Sequence, residues 1–152
     1  MSVAAPIADA LKVACPACLT ANRVAQARIV EEPKCGHCGT PLLDGKPVEA
    51  GASAFDALIE RTEMPVLVDF WAPWCGPCRA MAPMFEQAAR KLATEARFVK
   101  VNTDAEQALA ARYAIRAIPT LILFRDGAEV KRHSGAMDAG SLARWVNQSG
   151  KD

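Results

Sequence analysis

Six cysteines fall into three Cys-x-x-Cys pairs, Cys15/Cys18, Cys35/Cys38 and Cys75/Cys78. Two thiols at that spacing can share a metal ion or take turns as nucleophile and leaving group, and the flanking residues decide which. Cys15-Pro16-Ala17-Cys18 is followed after sixteen residues by Cys35-Gly36-His37-Cys38. This spacing fits four thiolates around one tetrahedral zinc ion, so Zn2+ on Cys15, Cys18, Cys35 and Cys38 is the expected cofactor. Gly36 and Gly39 are expected to supply the positive φ that tight knuckles need. His37 is the alternative fourth ligand, with a solvent-facing knuckle position as its other reading. Cys-Gly-His-Cys is also a redox active-site sequence, but charged Glu31-Glu32-Pro33-Lys34 precedes it and Gly39-Thr40-Pro41 follows. Neither a buried strand nor a helix is expected there.

The third pair has the opposite surroundings. Pro65-Val66-Leu67-Val68-Asp69-Phe70-Trp71 is short, β-branched and apolar on both faces, which predicts a central strand. Trp74-Cys75-Gly76-Pro77-Cys78 then opens a segment with helical periodicity through Met81, Met84, Phe85, Ala88, Ala89 and Leu92, with Pro83 predicting a kink. A thiol at a helix start faces unpaired backbone N–H groups and the positive end of the dipole, which stabilise its thiolate. Cys75 is therefore the expected nucleophile, and Cys78, one turn inward, the resolving thiol. Pro77 suits the first turn. Asp69 lies inside the buried strand, where a carboxylate is expensive unless it is protonated or partnered. Burial raises its pKa, which fits a general acid/base for Cys78; the competing reading is a carboxyl that only satisfies backbone groups.

Around these pairs the chain divides. Residues 1–46 carry many Pro and Gly breakers and little core material, so they need a metal staple to fold. The turn-rich Asp44-Gly45-Lys46-Pro47 marks the linker, and residues 47–152 form the second domain. Beyond Val48 helical and strand signals alternate, the mark of an α/β fold. Ser53 is expected to cap a helix carrying Phe55, Leu58 and Ile59, and Asp104 one from Ala105 to Tyr113. Arg97 to Val101 is the next strand, Thr120–Phe124 and Glu129–His133 form a hairpin about Asp126-Gly127, and a last helix from Asp138 to Gln148 buries Leu142, Trp145 and Val146.

The 152 residues carry a formal charge of +1, with 51% hydrophobic and 23% charged side chains. Residues 1–46 hold five basic and four acidic side chains, and four thiolates with Zn2+ would bring the segment near −1. That argues against nucleic acid and an anionic membrane. No run approaches the ~18 apolar residues of a spanning helix. The first residues lack the basic start and apolar stretch of a secretory signal, so a cytoplasmic location is expected. In a reducing compartment six cysteines point to metal binding or redox catalysis.

Val68-Asp69-Phe70-Trp71-Ala72-Pro73-Trp74-Cys75-Gly76-Pro77-Cys78, with Ile118-Pro119-Thr120 downstream, resembles the thioredoxin family over about residues 48–150. With the four-cysteine segment the chain resembles the thioredoxin-2 branch, now over nearly its whole length. The resemblance implies a thioredoxin fold, a central mixed β-sheet flanked by helices, preceded by a small zinc-ribbon-like module. It implies a protein-disulfide reductase acting on disulfide-containing client proteins and recharged by thioredoxin reductase with NADPH, without an organic cofactor of its own. It further implies a cis Ile118-Pro119 bond facing the sulfurs and a substrate groove lined by Trp74, Gly76, Pro77, Ala117, Ile118, Pro119, Gly135 and Ala136. Ala117 stands where many relatives have Gly, implying a narrower groove. Lys100 matches a buried family Lys that tunes the Asp69 carboxyl, unless it is a surface charge. The rival to the reductase is a redox-independent client-binding scaffold or holdase. Zinc is either permanent or released by oxidant, and a monomer is the simplest assembly.

Overall fold

The computed structural model describes residues 10–148; the leader reading of the first residues lies on 1–9, outside them. The described residues open with an antiparallel hairpin, β1 (Ala10–Ala14) and β2 (Ala21–Ala25), followed by a 3-10 turn at Gln26–Glu31. The remaining strands are β3 (Val48–Glu49), β4 (Val66–Trp71), β5 (Arg97–Asn102), β6 (Thr120–Arg125) and β7 (Ala128–Ser134). They form one mixed sheet in the order β3-β5-β4-β6-β7, with β4 parallel to β5 and antiparallel to β6. Its helices are α1 (Ala52–Glu60), α2 (Gly76–Lys91), α3 (Gln107–Arg112) and α4 (Ala139–Gln148). Among the described residues no helix is long and apolar enough to cross a membrane.

The central strand β4 is buried along Val66–Phe70, and its alternating side chains feed two cores. Val66, Val68 and Phe70 pack with Phe55 of α1, Leu109 of α3 and Phe124. Leu67 packs on the other side with Met81 and Phe85 of α2 and Leu142 and Val146 of α4. By that alternation Asp69 points toward the α2 side. A third, smaller cluster joins Val13, Val24 and Leu42 of the N-terminal segment to Met64 just before β4. The two β1 and β2 strands thus complete their core with a residue of the main sheet's own entry loop.

Several local expectations need correction. Ser53 caps nothing: Gly51 is the N-cap of α1 and provides no side-chain bond. The Ala52 N–H instead donates to Glu106 Oε1 at 3.0 Å, so a carboxylate from the start of α3 occupies the positive end of α1. Asp104 does not cap α3 either; Glu106 is its N-cap and the helix starts only at Gln107. Asn102 Oδ1 accepts the N–H groups of Asp104 and Ala105, holding that stretch in a turn. Trp145 is half-buried rather than core, and Lys131 Nζ sits 4.4 Å above its ring. Within the Asp44–Pro47 stretch Gly45, at φ +76°, passes so close to α2 that a Cβ there would lie 3.2 Å from the Arg90 Cα.

Candidate active site and metal centre

The first site sits where β4 hands over to α2. Beyond Trp71 the chain turns at Ala72, whose carbonyl accepts the Cys75 N–H at 3.2 Å, and Cys75 becomes the N-cap of α2. Its Sγ accepts the Cys78 N–H at 3.2 Å, so a sulfur takes the capping place usually held by an oxygen. No acidic side chain stands in the first turn of α2 to oppose a thiolate. Cys75 and Cys78 are joined as a disulfide, with Cα atoms 5.2 Å apart, and both are nearly buried.

Several of the residues expected from the resemblance are brought round this pair. Ile118-Pro119 is a cis peptide, and the Ile118 carbonyl oxygen lies 3.7 Å from Cys75 Sγ. Ile118 and Trp71 pack against the small cluster of Ala72, Cys75 and Cys78. The Thr120 hydroxyl donates to the Ala117 carbonyl within the cis-proline segment, and the Gly135 N–H donates to the Pro119 carbonyl at 2.8 Å, so the two loop backbones are tied together. Gly135 adopts φ +114°, a value that excludes a side chain without strain. Ala117 and Ala136 are exposed, Gly76 and Pro77 are exposed on the helix start, and Trp74 is 66% exposed.

Asp69 is 1% exposed and its Oδ1 is without a hydrogen-bond partner. Burial pushes its carboxyl up to about 7, opposed by the nearby Lys100 charge and reinforced by Glu49. The register explains this triplet: Lys100 of β5 lies between Asp69 of β4 and Glu49 of β3. Lys100 is half-buried, with Nζ 4.6 Å over the Trp71 ring, so its ammonium is neither a bare surface charge nor closed in an ion pair. Sequence reasoning passed over Glu49, because only the parallel pairing of a two-residue strand sets it beside Lys100. It read Asp104 only as a helix cap, whereas its carboxylate accepts the Trp74 indole N–H at 3.0 Å.

The second site is built from two equivalent knuckles. In one, the Cys15 N–H donates to Thr20 O and the Leu19 N–H to Cys15 O; in the other, the Cys35 N–H donates to Thr40 O and the Gly39 N–H to Cys35 O. Leu19 and Gly39 occupy matching positions with φ of +67° and +80°. Gly36 does not have a positive φ, contrary to expectation; the second positive-φ residue is Leu19, which carries a side chain where its counterpart is glycine. Gly36 instead presents its N–H to Asn22 Oδ1 at 2.9 Å.

The four sulfurs all lie within 4.8 Å of one another, with Cys15–Cys38 at 3.5 Å and Cys18–Cys35 at 3.6 Å. A tetrahedral Zn2+ with bonds of about 2.3 Å needs sulfurs roughly 3.8 Å apart, so the donor set fits that ion. Backbone N–H groups of Ala17 and Cys18 point at Cys15 Sγ, and that of His37 at Cys35 Sγ. The Asn22 amide donates to Cys35 Sγ and, with the backbone N–H groups of Cys38 and His37, draws that thiol down to about 6 against its burial. Burial pushes Cys15 up to about 11. His37 is exposed, and the four-residue donor group does not include it.

Comparison with known proteins agrees with both sites. The family model for thioredoxin matches residues 46–148, and that for the N-terminal segment of thioredoxin 2 matches residues 14–40. Thioredoxin C-3 of Corynebacterium nephridii is 39% identical over 136 residues, covering 90% of this chain and 93% of its own. Thioredoxin 1 of Synechococcus elongatus is 43% identical over 63% of this chain and 90% of its own. Among solved structures, a mutant thioredoxin from Halobacterium salinarum superposes with a TM-score of 0.64 at 34% identity, over 70% of this chain and 92% of its own. With the Cys75–Cys78 disulfide at the mouth of α2 and a four-cysteine cluster before the sheet, the chain belongs to the thioredoxin family and is a thiol-disulfide oxidoreductase.

Proposed function

We propose that the chain is a protein-disulfide reductase whose electrons pass through Cys75 and Cys78. In the reduced form the Cys75 thiolate attacks one sulfur of a client disulfide, forming a mixed disulfide and releasing the first client thiolate. Cys78, deprotonated, then attacks Cys75 Sγ; the mixed bond breaks, the second client thiolate leaves, and the pair closes as the disulfide. Two electrons move to the client, which takes up two protons. Asp69 is the group proposed to accept the Cys78 proton, and Lys100 the charge that keeps its carboxyl ready to do so. Thioredoxin reductase, drawing on NADPH, is the proposed source of the two electrons that reopen the pair.

The client is proposed to lie extended against Ala117-Ile118-Pro119, pairing with backbone as an added strand between Trp74, Gly76 and Pro77 on one side and Gly135 and Ala136 on the other. Zn2+ held by Cys15, Cys18, Cys35 and Cys38 is proposed as the cross-link that closes residues 1–46 as a zinc-binding module ahead of the 47–152 domain. The chain is proposed to act in the cytoplasm as a monomer. One observation carries the reading: the Cys75 sulfur caps α2 within 3.7 Å of the Ile118 carbonyl, so the nucleophile and the docking backbone share one surface. Insulin reduction coupled to NADPH and thioredoxin reductase tests it. Turnover by the wild type that vanishes in Cys75→Ser supports the proposal, and a wild type without turnover overturns it.

A further inference from the structure

Arg97, the first residue of β5, is 5% exposed. Its Nη2 donates to the Ala14 carbonyl at 2.9 Å and to the Leu42 carbonyl at 3.0 Å, and its Nε is buried without a partner. Ala14 directly precedes the first cysteine pair, and Leu42 follows the second pair, its N–H bonded to the Pro33 carbonyl. One guanidinium from the main sheet therefore holds a carbonyl on the flank of each knuckle. Among the described residues no carboxylate pairs with it; the ion pairs are Arg112–Asp56 and Arg132–Glu129. A buried cation held only by neutral carbonyls is costly unless some other negative charge stands near. Asp44 is the acid that acts on it, but Asp44 is exposed, where water weakens the attraction. The other partner is Cys15. Cys15 follows directly on Ala14, whose carbonyl Arg97 holds, and Leu42, whose carbonyl it also holds, packs in one cluster with Cys15 and Cys35; four thiolates around Zn2+ would bring a net charge of −2 to that cluster.

We propose that Arg97 is a positioning residue for the metal centre: its buried charge is balanced by the zinc tetrathiolate, so metal occupancy and docking of the N-terminal module on the sheet are one coupled equilibrium. This rests on the zinc assignment above. The coupling acts at the N-terminal ends of β4 and β5. There Lys12 and Glu63, Ala14 and Thr62, and Leu19 and Arg61 are also hydrogen-bonded across the junction. Cys75 lies beyond the other end of β4, about 20 Å of strand away.

The test is zinc affinity of the reduced full chain by competition with a chromophoric chelator, for wild type, Arg97→Gln, Arg97→Lys and Asp44→Asn. Outer-sphere partners of a metal typically change affinity 10- to 100-fold. Arg97→Gln should weaken zinc by about that factor, Arg97→Lys by clearly less, and Asp44→Asn by less than about twofold. Equal affinity in wild type and Arg97→Gln overturns the proposal, as does a loss in Asp44→Asn as large as that in Arg97→Gln. If Arg97→Gln does not fold, hydrogen exchange of the wild type decides. Stripping zinc should speed exchange at residues 61–66 and 97–99 but not at 74–81, and unchanged exchange at 61–66 and 97–99 overturns the proposal. A wild type that binds no zinc overturns the metal assignment itself, a result distinct from equal binding by all variants.

Discussion

The same tripeptide spacing of cysteines is used twice in the N-terminal knuckles and once at the start of α2, and the three pairs end in opposite chemistry. In the knuckles the chain turns back after each pair at Leu19 or Gly39, so the sulfurs are free to converge on a common centre. At Cys75 the chain continues into sixteen residues of helix, so the first sulfur meets the open N–H groups of the first turn and the second lies under it. A cysteine pair is thus assigned by the backbone that follows it. The two regions also differ in what surrounds the sulfur. Cys75 faces a backbone carbonyl and follows an exposed Trp in the chain, which suits a visiting peptide, whereas Cys35 receives N–H donors from its own chain.

The sharpest way to break that comparison is to exchange the roles. Cys75→Ser should abolish disulfide reduction by several orders of magnitude while leaving zinc content at one ion per chain. Cys35→Ser should do the reverse, lowering zinc affinity at least about a hundredfold with reduction retained. Metal content and insulin turnover, measured on both variants, check this. Reduction lost in Cys35→Ser would show that the two regions are not independent.

Next in size is the effect of chelation on the wild type. A four-thiolate zinc site is worth on the order of 10 kcal/mol to a small module. Removing the ion in reductant should expose residues 15–42 to protease while the sheet carrying Cys75 resists, because the module's own apolar cluster is small. Limited proteolysis with mass identification of the cut sites reads the outcome.

Asp69 sharpens the comparison from the redox side. Its carboxyl rises from 3.8 to about 7 on folding, chiefly through burial. The folded chain therefore holds a proton that the unfolded chain has lost between those values, and stability falls as pH rises from about 4 to about 7, with the deficit complete above 7. Three units correspond to about 4 kcal/mol as an order of magnitude. Asp69→Asn should therefore unfold at higher denaturant than the wild type at pH 8, and the gain should shrink toward pH 4. If Asp69 accepts the Cys78 proton as proposed, the same variant should slow client reduction about tenfold or more at pH 7. Denaturation midpoints across that pH range, together with single-turnover rates, measure both; equal pH dependence in the two proteins would remove Asp69 from the mechanism.

Much of this was legible in the residues. The run Val66–Trp71 is apolar on both faces because helices cover both sides of the sheet, and Pro77 behind Cys75 marks a helix start. The paired knuckles were visible from spacing alone. What stayed hidden depends on contacts between segments distant in sequence. Ser53 looked like a cap, but Glu106, some fifty residues later, occupies that helix end. Asp104 looked like a cap for the helix after it, but its carboxylate turns back to Trp74. Arg97 looked like an ordinary strand end, and nothing local shows that two carbonyls from the N-terminal segment wrap it. Leu19 at positive φ was unreadable because glycine, the usual marker, is absent there.

The smallest effect belongs to Asp104. Both carboxylate oxygens stand within 3.3 Å of the Trp74 indole nitrogen, so the exposed ring next to Cys75 in the chain is anchored by its N–H. A single hydrogen bond of this kind contributes about 0.5–1.5 kcal/mol, and the exposed setting favours the low end. Asp104→Asn keeps one acceptor oxygen and should raise the KM for a protein disulfide by only about threefold, with kcat little changed. Asp104→Ala should do somewhat more, and should also shift the emission of Trp74 as the ring loses its anchor. Trp74→Ala in the Asp104→Ala background should then add less than it does alone, because the carboxylate acts through the ring. Fully additive losses would mean that Asp104 meets the client directly, and the redox surface would extend beyond the indole to the turn after β5.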